Sequence, residues 1–373
     1  MDKKILIIYE NIGSGHKKTA EALKKAFLKH NGVIVDIKNP LEERFPGISK
    51  FSIQFYLNTI KYTPELWSYI YETERNKVEK KFNIFLGKSI YTFIKKYILK
   101  FQPDVIICTH PFSCALLYQI KKSLNIPVYA ILTDYDVHAY WIYNYIDGYF
   151  VGCNDMKIEM LNMGIQNEKI YVTGIPVDEI FYVNKDKNKI REKLGFRNDL
   201  PVIIIMGGGL GLGSIENAVK ILQKNKSYEY AVICGYNKKL ENKISEFAEE
   251  NVHVYGHIEN IDELMSIADL LITKSGGITI TEAITKRLPI AVFDTLPGQE
   301  VRNLKFLLKM HMAVRIKDIN NIDSKIAELF KQDKRKINFI KSNMVKMNFM
   351  YSSNQIAEII LNNNLKFDIK EKV

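Results

Sequence analysis

No stretch of this sequence approaches the ~20 apolar residues needed to span a bilayer, so a membrane-spanning chain is not expected. The first apolar run, Lys4-Ile5-Leu6-Ile7-Ile8-Tyr9, is only a strand's length and leads into Gly13 rather than a small-residue cleavage site, so secretion is not expected either. Cysteine is scarce: Cys108, Cys114, Cys153 and Cys234 show no CxxC spacing. Three of them sit in or beside apolar runs, where a reduced, buried thiol suits a cytoplasmic protein. The phosphate-loop motif GxxxxGK[ST] is missing. So is the dinucleotide fingerprint GxGxxG, although two glycine loops invite it. In the first loop Lys18 stands where the third glycine belongs; in the second, Leu212, Ser214 and Glu216 occupy that position in the three registers.

What is present is a soluble globular composition, 47% hydrophobic and 25% charged over 373 residues, long enough for two α/β domains. Short apolar runs alternate with amphipathic segments almost from end to end, which predicts parallel sheets flanked by helices. Strands are expected at Lys4–Tyr9, Val33–Ile37, Asp104–Thr109, Val128–Thr133, Gly148–Gly152 and Lys169–Thr173. A second series follows at Val202–Met206, Tyr230–Cys234, Val252–Tyr255, Leu270–Thr273, Ile290–Phe293 and Ala313–Ile316. A boundary after Gly174-Ile175-Pro176-Val177 gives a first domain of residues 1–177, a second of 178–345 and a helical tail of 346–373.

The formal net charge is +11. Residues 38–100 hold 12 Lys/Arg against 6 Asp/Glu, together with 13 aromatic residues, among them Phe51, Phe55, Trp67 and Tyr97. Basic residues mixed with amphipathic aromatics suit a helix lying at a headgroup interface. A helical insertion burying its aromatics against the domain is the alternative. Nucleic acid fits less well, because no nucleic-acid module pattern appears elsewhere.

Three polar elements follow strands. Asn11-Ile12-Gly13-Ser14-Gly15-His16 precedes a helical pattern, and such a turn lets backbone amides approach a ligand. Gly207-Gly208-Gly209-Leu210-Gly211-Leu212-Gly213 follows Val202–Met206 and suits phosphate contact or a purely structural turn. In Thr273-Lys274-Ser275-Gly276-Gly277-Ile278-Thr279-Ile280-Thr281-Glu282 a strand ends at a Ser-Gly-Gly turn and a helix begins, an arrangement that gathers amides for a diphosphate. There Glu282 has the carboxylate a ribose diol would use, unless it is simply a solvated first-turn acid. Pro297-Gly298-Gln299-Glu300 is a polar loop suited to sugar hydroxyls.

In this order the elements resemble the glycolipid synthase family of bacterial diacylglycerol glucosyltransferases and plant monogalactosyldiacylglycerol synthases. The resemblance runs over nearly the whole chain, through GSGHKKTAEAL, THPF, TDYDVHAYW, VTGIPV, MGGGLGLG, YGHI, ITKSGGITITEA and LPGQEVRN. It implies the GT-B fold, two Rossmann-like doubly wound domains facing a cleft, with the acceptor diacylglycerol on the first and UDP-hexose, preferably glucose, on the second. Galactose, or more remotely a UDP-sugar epimerase on the same fold, is the alternative. It implies an inverting transfer with neither cofactor nor metal, UDP-sugar being a substrate, at an anionic membrane on the inner face of the cell, with no nucleic acid involved.

By position, Gly208 and Gly209 would lie beside the donor phosphates and Ile258 at uracil. Gly276, Gly277 and Thr279 would hold the diphosphate, Glu282 the ribose, and Gln299 and Glu300 the hexose. His16 is the candidate base, with Asp134 and Asp136 as competing bases or as partners that orient one; capping is the plainer role for His16. Gly15, His138, Trp141, Phe51, Phe55 and Trp67 are placed with the acceptor or membrane, though core packing would equally suit Trp141. Ser14 departs from the family's consecutive glycines and leaves the acceptor contacts of this loop open. Asp134-Tyr135-Asp136 matches a metal-binding DxD but lies in the acceptor half. His253 and His257 have zinc-pair spacing only on a helix, and Val252–Tyr255 reads as a strand, in which four residues span roughly 13 Å.

Overall fold

The computed structural model describes residues 2–11, 15–47, 63, 65, 69, 72–73, 87–121, 125–347 and 351–370. Gly13, Ser14, Phe51, Phe55 and Trp67 lie outside the described residues, as does most of 38–100. The chain forms two compact units, residues 1–179 with 351–373, and residues 180–350.

In the first unit β1 (Lys3–Ile8), β2 (Val33–Lys38), β3 (Val105–Cys108), β4 (Val128–Ile131), β5 (Gly148–Val151) and β6 (Ile170–Val172) form one parallel sheet in the order β2-β1-β3-β4-β5-β6. Helices α1 (Gly15–Phe27), α2 (Pro40–Arg44), α3 (Gly87–Phe101), α4 (Pro111–Lys121) and α5 (Asn154–Asn162) connect the strands. Strands β3, β4 and β5 are buried throughout, which is why they read as continuous apolar runs rather than alternating ones. The second unit repeats the plan. Its strands are β7 (Val202–Met206), β8 (Glu229–Ile233), β9 (Val252–Tyr255), β10 (Leu270–Thr273), β11 (Ile290–Val292) and β12 (Ala313–Arg315), in the order β12-β11-β10-β7-β8-β9. Its helices are α6 (Lys187–Leu194), α7 (Ile215–Leu222), α8 (Lys238–Ser245), α9 (Ile261–Ile267), α10 (Gly277–Thr285), α11 (Gln299–Lys309) and α12 (Ile322–Lys346).

Each sheet reverses its strand order beside its first strand, between β1 and β3 and between β7 and β10. In open parallel sheets ligands bind at this reversal, beyond the carboxyl ends of the strands. Ile8 pairs with Cys108, and Met206 with Thr273, so the residues that follow each pair leave the sheet side by side.

The last helix, α13 (Ser352–Lys370), belongs to the first unit. Its Ile356, Ala357 and Ile360 are fully buried in one cluster with Ala20, Leu23 and Phe27 of α1. Ser353 Oγ donates to the carbonyl of Val177 at 2.7 Å and fixes the helix start. The described end of the basic segment packs rather than projects. In α3 Ile90, Ile94 and Ile98 form a buried stripe at helical spacing. The hydroxyl of Tyr97 donates to Asp36 Oδ2, so at this aromatic position packing applies rather than headgroup contact. Ile360→Ala should lower the unfolding free energy by roughly 2–5 kcal/mol, measured by urea titration.

Candidate active site

In the first unit three chain segments meet beyond the carboxyl ends of β1, β3 and β4. His16 enters on the first turn of α1. Its Nδ1 lies 2.7 Å from the carbonyl oxygen of Thr109, just past β3, and 3.1 Å from Oγ1 of Thr133, just past β4. A carbonyl only accepts, so Nδ1 carries the proton and Nε2 keeps the lone pair. Thr109 Oγ1 returns a bond to the carbonyl of His16 at 3.1 Å, which fixes the backbone as well as the ring. His110 packs edge-on against His16 with ring centroids 4.4 Å apart, and its Nδ1 accepts from the Phe112 amide at 3.0 Å.

Burial pushes the His16 imidazole down to about 4, opposed in part by its bond to the Thr109 carbonyl. Burial, and then the neighbouring His16, hold His110 well below the usual histidine range. Both rings are therefore neutral at pH 7, as a proton acceptor must be. The groups orienting His16 are thus a backbone carbonyl and a threonine hydroxyl; sequence reasoning named Asp134 and Asp136 for that task and did not single out Thr109 or Thr133. Asp136 is buried and Asp134 half-buried in the turn after β4. His138 is buried as well, and its Nδ1 caps the short 3-10 turn Ala139–Trp141 by accepting from the Tyr140 amide at 3.2 Å. Trp141 is buried in the same turn.

In the second unit the glycine loop, the Ser-Gly-Gly turn and the Pro-Gly-Gln-Glu loop converge at the β7/β10 reversal. The glycine loop is partly a structural turn. A side chain on Gly207 would meet the Leu212 carbonyl oxygen at 1.9 Å, and one on Gly211 the Cys234 carbonyl oxygen at 2.3 Å. Gly208 has φ +71°, which needs glycine, and a side chain there would touch Lys274 Cε at 3.2 Å. The Gly209 carbonyl accepts from the Tyr236 amide at 2.9 Å, which ties this loop to the one after β8. Beside it the Tyr236 and His257 rings stack 4.0 Å apart, next to the half-buried Ile258.

Helix α10 begins at Gly277 with Gly276 as its N-cap. The first N–H groups of a helix lack intrahelical acceptors and carry the positive end of its dipole, which favours an anion. The Gly276 amide itself is already donated to the Lys274 carbonyl at 3.0 Å, so this glycine offers open space rather than a free N–H. Gly277 is buried and Thr279 half-buried on the first turn. Glu282 is buried, 2% exposed, and so is not the solvated first-turn acid that its spacing alone also allowed.

Gln299 and Glu300 open α11 after Gly298, whose φ is +92°. Glu300 is the hub of this corner. Its carboxylate pairs with Lys274 Nζ and accepts from the Leu296 amide at 3.2 Å. Its carbonyl accepts from Ser275 Oγ at 2.7 Å, and Asn303 Nδ2 donates to the Ser275 carbonyl at 2.9 Å. Sequence reasoning found Glu300 but passed over Lys274, Ser275 and Asn303; their adjacency to the Ser-Gly-Gly turn and to Gln299-Glu300 was the available signal. His253 and His257 lie on β9 and just beyond it, and among the described residues no three His, Cys, Asp or Glu side chains form a metal-holding group.

Residues 16–177 match the family model for monogalactosyldiacylglycerol (MGDG) synthase, and residues 186–344 the model for glycosyl transferases group 1. A processive diacylglycerol beta-glucosyltransferase of Bacillus pumilus is 30% identical over 96% of this chain and 95% of its own. This chain belongs to the diacylglycerol glucosyltransferase family. A second family member, from Bacillus licheniformis, is 29% identical over 97% of each chain. Among solved structures, the UDP-GlcNAc 2-epimerase of Neisseria meningitidis superposes with a TM-score of 0.59 at 18% identity, covering 96% of this chain and 100% of that one. The MnaA–UDP co-structure of S. aureus gives 0.65 at 15% identity, covering 99% and 97%. These likenesses establish the fold, GT-B.

The low basicity of the half-buried His16 imidazole has a pH consequence. The unfolded chain protonates histidine from about pH 6.5, whereas the folded chain keeps His16 neutral down to about 4. Its contribution to stability is therefore lost as pH falls through that window. Glu10, fully buried at the end of β1 and held by burial well above the usual carboxylate range, acts in the opposite sense, so a variant comparison is needed to isolate the imidazole. Melting temperatures of wild type and His16→Asn should diverge between pH 7 and pH 4, with the wild type losing more on acidification.

Proposed function

We propose that this protein transfers glucose from UDP-glucose to 1,2-diacylglycerol, with inversion at the sugar, on the inner face of an anionic membrane. The observation that carries the reading is the convergence at the β7/β10 reversal of the anion-favouring start of α10, the buried Glu282 and the Lys274–Glu300 corner. The full-length likeness to diacylglycerol beta-glucosyltransferases supplies the reaction class.

On this reading the second unit holds the donor. The first turn of α10, with Gly277 and Thr279, receives the diphosphate; Glu282 accepts hydrogen bonds from the ribose; Gln299 and Glu300 read the hexose hydroxyls; Gly208 and Gly209 leave room beside the phosphates, and Ile258 offers its backbone to uracil. In the first unit Nε2 of His16 takes the proton of the glycerol hydroxyl as that oxygen attacks the anomeric carbon. The bond to the diphosphate oxygen breaks from the opposite face, and UDP leaves with the electron pair. The Thr109 carbonyl keeps the imidazole in the tautomer this step needs and stabilises the imidazolium that results. Stabilising the leaving diphosphate by helix amides asks nothing of a metal ion.

No described helix is long and apolar enough to cross a membrane. The surface location rests on the net charge of +11 and on the basic, aromatic composition of residues 38–100.

The test is a transfer assay with purified protein, vesicles of mixed anionic lipid containing diacylglycerol, and radiolabelled UDP-glucose or UDP-galactose, run with and without chelator. The expected result is chelator-resistant label in a lipid product, glucose preferred. His16→Ala should lower the rate roughly 100-fold or more with little change in donor binding. Glu282→Ala should act mainly on donor KM. Absence of a lipid product from either donor, with UDP still bound, would sink the diacylglycerol assignment; appearance of an epimerised sugar would replace it.

A further inference from the structure

At the carboxyl end of β10 one cation lies beside the glycine loop, the Ser-Gly-Gly turn and the Pro-Gly-Gln-Glu loop. Lys274 follows Thr273, and the Thr273–Met206 register sets it beside Gly207 at the start of the glycine loop. Its ammonium pairs with Oε1 of Glu300. A Cβ on Gly208 would lie 3.8 Å from that ammonium, and one on Gly276 would lie 3.7 Å from it. Two glycines from separate loops therefore open onto a single charge. The two positions differ in why they lack a side chain. Gly208 needs glycine for its positive φ, but Gly276 sits at φ −68° and ψ 132°, where any residue fits. A side chain at Gly276 would also clear its neighbours at ordinary contact distance. Neither backbone nor packing explains the opening there; what it does is uncover the ammonium on the side where α10 begins.

An ammonium has three N–H donors, and the ion pair with Glu300 occupies one. The pair is mostly enclosed, with side chains 16% and 7% exposed, so solvent screens it little. A carboxylate that merely tied down the Pro-Gly-Gln-Glu loop already has that service from the Leu296 amide and from the Ser275 hydroxyl on its backbone.

We infer that Lys274 is a donor-binding residue. Glu300 holds its ammonium in place, and its remaining N–H groups bind the diphosphate of the nucleotide sugar from the side opposite the α10 amides. The inference rests on the nucleotide-sugar reading of this corner and adds to it a full positive charge for the leaving group. The same ion pair couples the two halves of the donor: Glu300, assigned to the hexose, and Lys274, assigned to the diphosphate, move as one unit.

The test compares binding of UDP with binding of uridine, which lacks the diphosphate, by calorimetry or ligand-detected NMR. Lys274→Met should weaken UDP roughly 10- to 100-fold, the worth of a charge-assisted hydrogen bond, and leave uridine within about twofold. Lys274→Arg should recover most of the loss. Because Lys274→Met strands the Glu300 carboxylate, the double variant Lys274→Met/Glu300→Gln removes both charges, and it should show the same selective loss. Parallel weakening of UDP and uridine in the double variant, or undiminished UDP binding, would overturn the role of Lys274 while leaving the nucleotide-sugar site standing. A wild-type chain that binds neither ligand would overturn the site itself.

Discussion

Parallel pairing of the first strand of each sheet with the strand across its order reversal is the constraint on which the rest depends. Between β7 and β10 it brings the glycine loop and the Ser-Gly-Gly turn out of the sheet side by side. Between β1 and β3 it sets Thr109 where His16, on the first turn of α1, meets it. The strands can hold this register because their side chains are apolar on both faces and are buried by helices. Once the register is set, polar chemistry needs no further long-range organisation. Most functional groups lie within three residues of a strand end or on the first turns of the helix that follows.

The two corners manage charge in opposite ways. The first unit removes it: His16 and His110 lie ring against ring, and burial keeps both neutral. The second unit concentrates it, with a helix start, an enclosed ion pair and a buried glutamate within one strand reversal. A dry, uncharged setting keeps the imidazole in the neutral form that can take a proton, at a cost to the imidazolium that the Thr109 carbonyl partly offsets, whereas a site that holds an anion gains from fixed dipoles and cations in a low-dielectric corner.

Much of this was legible in the residue pattern. Val202–Met206 and Leu270–Thr273 are recoverable to the residue, because a buried parallel strand is an apolar run between polar turns; the half-buried edge strand Val252–Tyr255 is recovered as well, from its β-branched and aromatic residues. Other strand ends shift by one or two residues, as at Val105–Cys108, where Thr109 reads as strand-like but turns its backbone to His16. What composition could not supply was the partner of each functional side chain. A carbonyl has no sequence signature, so the orienting of His16 by Thr109 was invisible. Gly276 looked like an amide donor because it precedes a helix; only the turn geometry shows its N–H already spent on Lys274. Tyr97 looked interfacial among lysines until its bond to Asp36 placed it.

The helix α13 closes the first unit with the last described part of the chain. The polypeptide thus leaves that unit near residue 179 and returns to it near 351, after the whole second unit has been made. During synthesis the second unit is a continuous stretch that can complete its own sheet as it emerges, whereas the first must wait with the apolar face of α1, at Ala20, Leu23 and Phe27, uncovered. The core of the first unit is therefore completed only by a segment made after the second unit.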